Sequence, residues 1–447
     1  MTLADVVTPD VERLAVALGP AARVAYAPPN IFPMSAPDFV PERSIRPRGP
    51  RGERLSIYLH VPFCNYHCNF CFYATFVRTP REQMERYVDA VVRELEWLEP
   101  GTRLSQLYVG GGTPTTLPPE LLDRLLTTVF ARTHGQDQPH TVECSPESVT
   151  DGHVDVLRKH GIGRVSMGIQ TMSEQVLGTV ERSHNAHQAV EACDRLVDAG
   201  LMVNTDLIYG LPGLTEEDFA RDFATAVEHG VHTVTAYNLR VNERTPVAKA
   251  VADEERLELA RLVRWRAVVS ASAQQLNFVQ TRWHTFRRLE GDSPAQALAE
   301  GFEDLTGQGE QFSAGLSARS RLDNVIYRNH RGFKQYVERI ERGESPADEV
   351  FPLSEEGLKT RFLALSIGDG KALERAAYEE HFGCSFDDDF RGTLKRLIDH
   401  GLIEDDGVRV ELTETGKLVY DLVLLAFYPE APRKLIQERQ EERLTAR

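Results

Sequence analysis

A chain of 447 residues, 41% apolar and 26% charged, has enough apolar material for a large core. Its length suits one big α/β domain with a smaller companion. That composition excludes global disorder, and a formal net charge of −16 repels nucleic-acid backbone, so a general DNA or RNA binder is not expected.

The chain starts with MTLADVVTPDVERLAVALG, which carries acids early and has no apolar core of the leader type. No stretch approaches the roughly 18 apolar residues that a spanning helix requires. A cytoplasmic protein without membrane association is the expectation. Cysteines there stay reduced, so clustered thiols point to metal binding or catalysis rather than disulfides.

Residues 1–50 are rich in proline and alanine, as in APPNIFPMSAPDFVPERSIRPRGPRGER. Proline fixes φ and removes backbone donors, so an extended N-terminal arm is predicted here. From 51 to 275 strand and helix patterns alternate. The strands are LSIYLHV, LSQLYVGGG, HTVEC, RVSMGIQ, LMVNTDLIYG and HTVTAYNL, each followed by a segment of helical period, several closing on glycine. Such alternation implies a parallel sheet with helices outside. Right-handed crossovers then curl it into a partial (β/α)6 barrel. Residues 276–345 read as a barrel extension with substrate-side loops. LNFVQTRWHTFRR is one more strand, and GQGEQFSAGLSARS a Gly- and Ser-rich loop. Residues 346–430 read as a winged-helix-like α+β domain with a small β-wing, and 431–447 as a charged tail.

Chemistry concentrates in HVPFCNYHCNFCFYATF, where Cys64, Cys68 and Cys71 follow the first strand in a C-x3-C-x2-C spacing. A structural zinc site wants four protein ligands. His67 is a fourth on paper, but its place between two of the cysteines makes joint ligation awkward. A 4Fe–4S cluster held by three thiolates leaves one iron open to a non-protein ligand. At the C-terminal ends of barrel strands, such a loop occupies the usual place for chemistry. GGGTPT at 110–115 lets backbone approach a ligand closely. Glu143, Gln170, Arg182 and Asp206 stand at or just beyond successive strand ends. Each taken alone reads equally well as a cap or a surface ion pair. His284 lies in TRWHTFRR; an imidazole there titrates near working pH and suits a base, although a packed strand histidine is the plainer reading.

The cysteine loop in this position resembles the radical SAM (S-adenosylmethionine) superfamily. That resemblance implies a 4Fe–4S cluster on Cys64, Cys68 and Cys71, and SAM bound to its open iron. A reduced flavodoxin or ferredoxin would supply the electron, and a small molecule would be the substrate. Taken together, YLHVPFC, GGGTPT, RVSMGIQ and NTDLIYGLPG are similar to the oxygen-independent coproporphyrinogen III oxidase branch over about residues 50–430. By that resemblance Tyr58, Phe70, Gly111 and Glu143 contact the cluster-bound SAM. Gly112, Thr113, Gln170, Arg182 and Asp206 contact a second SAM.

Three subgroups of the branch compete. The coproporphyrinogen enzymes typically carry a fourth cysteine where this chain has Tyr73, and an N-terminal Tyr-Thr-x-Tyr-Pro segment that is absent here. The haem-chaperone subgroup usually has Asp where this chain has Phe72. The third subgroup, class C radical SAM methyltransferases and cyclopropanases of natural-product and antibiotic pathways, shares an aromatic residue near the third cysteine. It is the favoured expectation at this point. It implies transfer of a SAM-derived one-carbon unit to an sp2 carbon, with Tyr73, His284 and Arg287 touching substrate and His284 as the base. Glu310 and Ser317 are expected to line the same face. Haem-pathway oxidation and haem carriage are the alternatives.

Overall fold

The computed structural model describes residues 6–24, 54–73, 75–137, 139–241, 245–251, 258–282, 284–289, 310–434, 436 and 438. Six strands form the heart of the fold: β1 (Arg54–Val61), β2 (Thr102–Gly111), β3 (Thr141–Cys144), β4 (Arg164–Gln170), β5 (Met202–Tyr209) and β6 (Thr233–Asn238). Each pairs in parallel with the next. Ile57, Leu59, Leu107, Val109, Val142, Val165 and Val203 have no exposed surface and lie abreast on one face of the sheet, so successive strand residues put an apolar face into the core and leave the alternate positions to the other face.

The return helices follow from local sequence. Arg81–Leu95 turns Met84, Tyr87, Val88, Val91 and Leu95 inward, the i, i+3, i+4, i+7 stripe of an amphipathic helix. Asn185 caps Ala186–Asp198 and Thr215 caps Glu216–Glu228, each accepting from the backbone three residues on. Both helices run out into glycines of positive φ, Gly200 and Gly230.

The sheet does not stop at six strands. Past β6, β7 (Phe278–Arg282) and β8 (Thr285–Arg288) form an antiparallel hairpin, with β8 beside β6. At the other edge β9 (Glu310–Ala314) lies parallel to β1. It is followed by antiparallel β10 (Arg319–Leu322), β11 (Val325–Asn329) and β12 (Ala347–Pro352). The order is β7-β8-β6-β5-β4-β3-β2-β1-β9-β10-β11-β12, an open mixed sheet whose two edges do not pair among the described residues. The protein is thus an α/β chain with an open barrel and a C-terminal domain.

Three expectations change. The single strand in LNFVQTRWHTFRR is a hairpin, because a turn at its centre lets both arms pair. GQGEQFSAGLSARS is not a loop throughout: Glu310–Ala314 is a strand paired in parallel with β1. The N-terminal arm carries an eight-residue helix, Val11–Leu18, capped by the Asp10 carboxylate; the rest of the arm, 25–50, lies outside the described residues, as does most of the 431–447 tail.

The C-terminal part sets helices Glu355–Leu365, Arg375–Phe382, Phe386–Asp399 and Tyr420–Ala426 around a three-stranded sheet of Leu373–Glu374, Ile403–Asp405 and Arg409–Leu412. It is tied to the barrel by a buried ion pair. Arg266 Nη1 and Nη2 donate to Asp421 Oδ1 and Oδ2, both at 2.8 Å, and Nη1 also donates to the Leu418 carbonyl at 3.0 Å. Arg282 Nε donates to Asp369 Oδ1 at 2.8 Å in a second tie.

Candidate functional site

The C-terminal ends of β1 to β6 bring the sequence-selected residues to one side of the sheet. Strand register does most of the placing: Glu143 sits opposite Ser166, and Gly168, Asp206 and Thr235 lie abreast on β4, β5 and β6.

The cysteine loop is held by backbone. Phe76 N donates to the Pro62 carbonyl at 2.8 Å, Cys71 N to the Cys68 carbonyl at 3.1 Å, and Val247 N to the Asn69 carbonyl at 3.1 Å. Gly112 N and Thr113 N donate to Val61 O and Phe63 O, both at 2.7 Å. The end of β2 is thereby laid against the loop. A Cβ on Gly110 would come within 2.7 Å of Glu143 Oε2, one on Gly111 within 2.6 Å of the His60 ring, and one on Gly112 within 3.0 Å of Cys64 Sγ. Gly111 also has φ +118°, a conformation that side chains resist. These glycines form a cradle packed between Glu143, His60 and the cysteine loop.

Glu143 closes one side of the cradle. Its carboxylate accepts from Tyr108 Oη at 2.7 Å and from Gly111 N at 3.0 Å; burial raises its pKa against those two donors. Tyr58 stacks on Tyr108 and shares a hydrogen bond with His60 Nδ1 at 3.1 Å. Burial holds His60 neutral, its pKa lowered to about 4, which fits a supporting role. Phe70 packs against the core beside the loop. Asp206 accepts from Asn204 Nδ2 at 2.8 Å and from Ser166 Oγ at 3.3 Å; burial, then Glu143, push its pKa up to about 7. Asn204 is pinned in turn by the Thr233 and Thr235 hydroxyls at 2.8 and 2.9 Å. Gln170 ends β4 at φ +74°, where a register shift interrupts the ladder and turns the chain out of the sheet.

Arg182 donates to Cys68 Sγ at 3.2 Å and to the Gly168 carbonyl. Tyr73 is exposed, its ring tilted against that of Phe72 at 4.6 Å between centres. It lies within electrostatic reach of Arg240, Glu143, Cys71 and Arg319. His284 packs on the Tyr237 ring at 4.3 Å and meets Tyr420 Oη at 3.4 Å. Burial, then Arg240, Arg282 and Arg266, hold its pKa well below the usual imidazole value. Ser317 follows the C-terminal end of β9 on this side of the sheet. Glu310 and Arg287 do not: Glu310 pairs with Leu55 at the start of β1, and Arg287 with Thr233 at the start of β6, at the opposite end of the sheet.

Some site residues escaped sequence reasoning. Tyr108, Asn204 and Tyr237 are interior strand positions that read as ordinary β formers, and Arg164 reads as a charge before a strand. Only the register reveals that they face the cradle.

The donor set fits an iron–sulfur cube: Cys64, Cys68 and Cys71 are free thiols with His67 exposed beside them, one ligand short of a structural zinc site and the number that leaves one iron of a cube open. Burial and the neighbouring thiols raise the Cys64 pKa to about 11, a cost that coordination relieves because metals bind the thiolate.

An open βα barrel with three thiolates beyond its first strand and a glycine cradle beyond its second defines a radical SAM protein. The chain belongs to the radical SAM superfamily, in the branch that carries a HemN C-terminal domain: residues 58–226 match the superfamily and 370–419 the HemN C-terminal domain. Its cofactors are accordingly a 4Fe–4S cluster and SAM. It is 30% identical over 392 residues to the heme chaperone HemW of Mycobacterium tuberculosis, covering 83% of this chain and 94% of that protein. Over 393 residues it is 25% identical to the oxygen-independent coproporphyrinogen III oxidase of Escherichia coli, covering 83% and 85%. The solved structure of coproporphyrinogen III oxidase (HemN) from Escherichia coli superposes with a TM-score of 0.73 at 24% identity, over 86% of this chain and 91% of that one. These relatives overturn the favoured expectation of a natural-product C-methyltransferase or cyclopropanase. An aromatic residue near the third cysteine was too slight a feature to outweigh similarity along most of the chain. No helix among the described residues is long and apolar enough to cross a membrane.

Proposed function

We propose that this chain is a radical SAM protein of the haem pathway whose substrate is a carboxylate-bearing tetrapyrrole. The observation that carries the reading is the cationic side of the cleft: Arg240 and Arg319 lie near Tyr73, and Arg240 also near His284, in a chain whose net charge is −16. Arginines gathered at the mouth of an otherwise acidic protein suit an anionic substrate, and the Tyr73 and Phe72 rings suit a flat one.

The cluster and SAM, when bound, supply reductive SAM cleavage and hydrogen-atom abstraction. The chain's residues do the rest. Cys64, Cys68 and Cys71 hold the cluster. Tyr58, Phe70, Gly111 and Glu143 bind the SAM beside it, Glu143 being placed to accept from an amine. Gly112, Thr113, Gln170, Arg182 and Asp206 bind a second SAM. Tyr73 and His284, the latter kept neutral by burial and neighbouring arginines, contact substrate. The electron comes from a flavodoxin or ferredoxin.

The reaction we propose is oxidative decarboxylation of coproporphyrinogen III, the substrate that the name of the Escherichia coli relative prints. Anaerobic, reconstituted protein supplied with reductant, SAM and coproporphyrinogen III is expected to release carbon dioxide and 5′-deoxyadenosine. Absence of both with an intact cluster rejects this chemistry. Haem carriage is a second reading, favoured by Tyr73 in place of a fourth cysteine and by the 30% identity to HemW. Stoichiometric haem binding without SAM turnover supports it.

A further inference from the structure

One charged group behind the cysteine loop is bonded to a cluster-ligand sulfur. Arg182 Nη1 donates to Cys68 Sγ at 3.2 Å while Nη2 is anchored on the Gly168 carbonyl at the end of β4. The guanidinium also lies over the Tyr66 ring, 5.4 Å from its centre. Loop and arginine are fastened to each other by their neighbours. Asn69 Nδ2 donates to the Thr179 carbonyl at 2.8 Å, and Asn69 N to the Val180 carbonyl at 3.4 Å. The residue after Cys68 is thus bonded to the segment just before Arg182, which makes the N–H···S contact a product of the fold.

A carboxylate balances the arginine. Glu147, in the turn after β3, accepts from Ser145 Oγ at 2.6 Å and stands 3.6 Å from Nδ1 of the buried His184. It lies within electrostatic reach of Arg182.

We infer that Arg182 is a positioning residue that holds a hydrogen bond on the cluster ligand Cys68 and raises the cluster's electron affinity, with Glu147 as the opposing charge. One-electron reduction adds a negative charge to the cluster and breaks no protein bond. A cationic donor on a ligand sulfur stabilises the reduced form, and a nearby carboxylate disfavours it. This inference rests on the cluster and is independent of the tetrapyrrole.

The test is an EPR-monitored redox titration of the full chain, reconstituted anaerobically with iron and sulfide and reduced by dithionite, with no SAM or porphyrin present. Arg182→Gln is expected to lower the reduced-to-oxidised ratio at fixed potential about tenfold, a shift of about 59 mV to more negative values for a one-electron couple. Arg182→Lys keeps part of the effect, and Glu147→Gln shifts the potential the other way. Iron per chain is measured first; if Arg182→Gln assembles no cluster, the opposite signs of Arg182→Lys and Glu147→Gln decide. Wild-type potentials in the Arg182 variants, or a Glu147→Gln shift of the same sign as theirs, overturn the proposal.

Discussion

At Gly112 a methyl group is the sharpest probe of the cradle. An alanine Cβ there would sit 2.6 Å from the Phe63 carbonyl and 3.0 Å from Cys64 Sγ. Neither is the free end of a flexible chain, so the cysteine loop itself must shift. Gly112→Ala is expected to lower iron incorporation on anaerobic reconstitution while the apo-protein keeps its far-UV circular dichroism. Cys64→Ser, Cys68→Ser and Cys71→Ser are each expected to abolish the broad visible absorbance of the cluster, whereas Cys384→Ser, remote in the C-terminal domain, leaves it intact. The cysteine spacing was legible in sequence because three thiols in eight residues are too costly to arise as packing. The choice among substrates was not, because Tyr73, Arg240 and His284 come from distant segments that only the folded sheet brings to one cleft.

The join between β1 and β9 is built on a buried carboxylate. Glu94, on the Arg81–Leu95 helix, accepts from Gly315 N at 2.8 Å, Asn329 Nδ2 at 2.7 Å and Tyr336 Oη at 2.5 Å. Tyr87 Oη donates to the His60 carbonyl at 2.7 Å and accepts from Leu316 N at 2.9 Å. Together they bind the strand before the cysteine loop to the turn after β9. Burial outweighs the three donors and raises the Glu94 pKa to about 7. A carboxyl raised in the fold binds a proton that the unfolded chain has lost. Its contribution to stability is therefore full at low pH and declines as pH rises from the unfolded value toward 7. Glu94→Gln leaves a donor facing donors and is expected to destabilise. Measured by urea unfolding, its penalty should be smaller at pH 8 than at pH 5.5 by about 2 kcal/mol, from roughly 1.4 kcal/mol per pKa unit. An equal penalty at both pH values shows that Glu94 does not titrate in this window. Glycine and serine richness hid β9 from sequence reading, since its strand character comes from pairing with β1 and not from β-branched residues.

Across the whole molecule the C-terminal domain is held to the barrel by charge inside an apolar seam. Removing one partner of a buried pair strands the other, at a cost of about 3–5 kcal/mol. Asp421→Ala is expected to lower the thermal midpoint clearly, and the double change Arg266→Met with Asp421→Leu to recover most of it; differential scanning calorimetry reads both. The alternation of strands and helices announced the barrel, because helical and extended periods differ along the chain. The extra edge strands and the domain contact were not legible, since each is a pairing between segments far apart in sequence. The glycine cradle carries a consequence for reading such chains. What it demands is emptiness: three successive places where nothing projects from the backbone, the first against Glu143, the second against His60 and the third against the cysteine loop. A requirement for absent atoms leaves side chains away from these contacts free to differ, so membership in this superfamily survives at a quarter identity while the identity of the guest molecule does not.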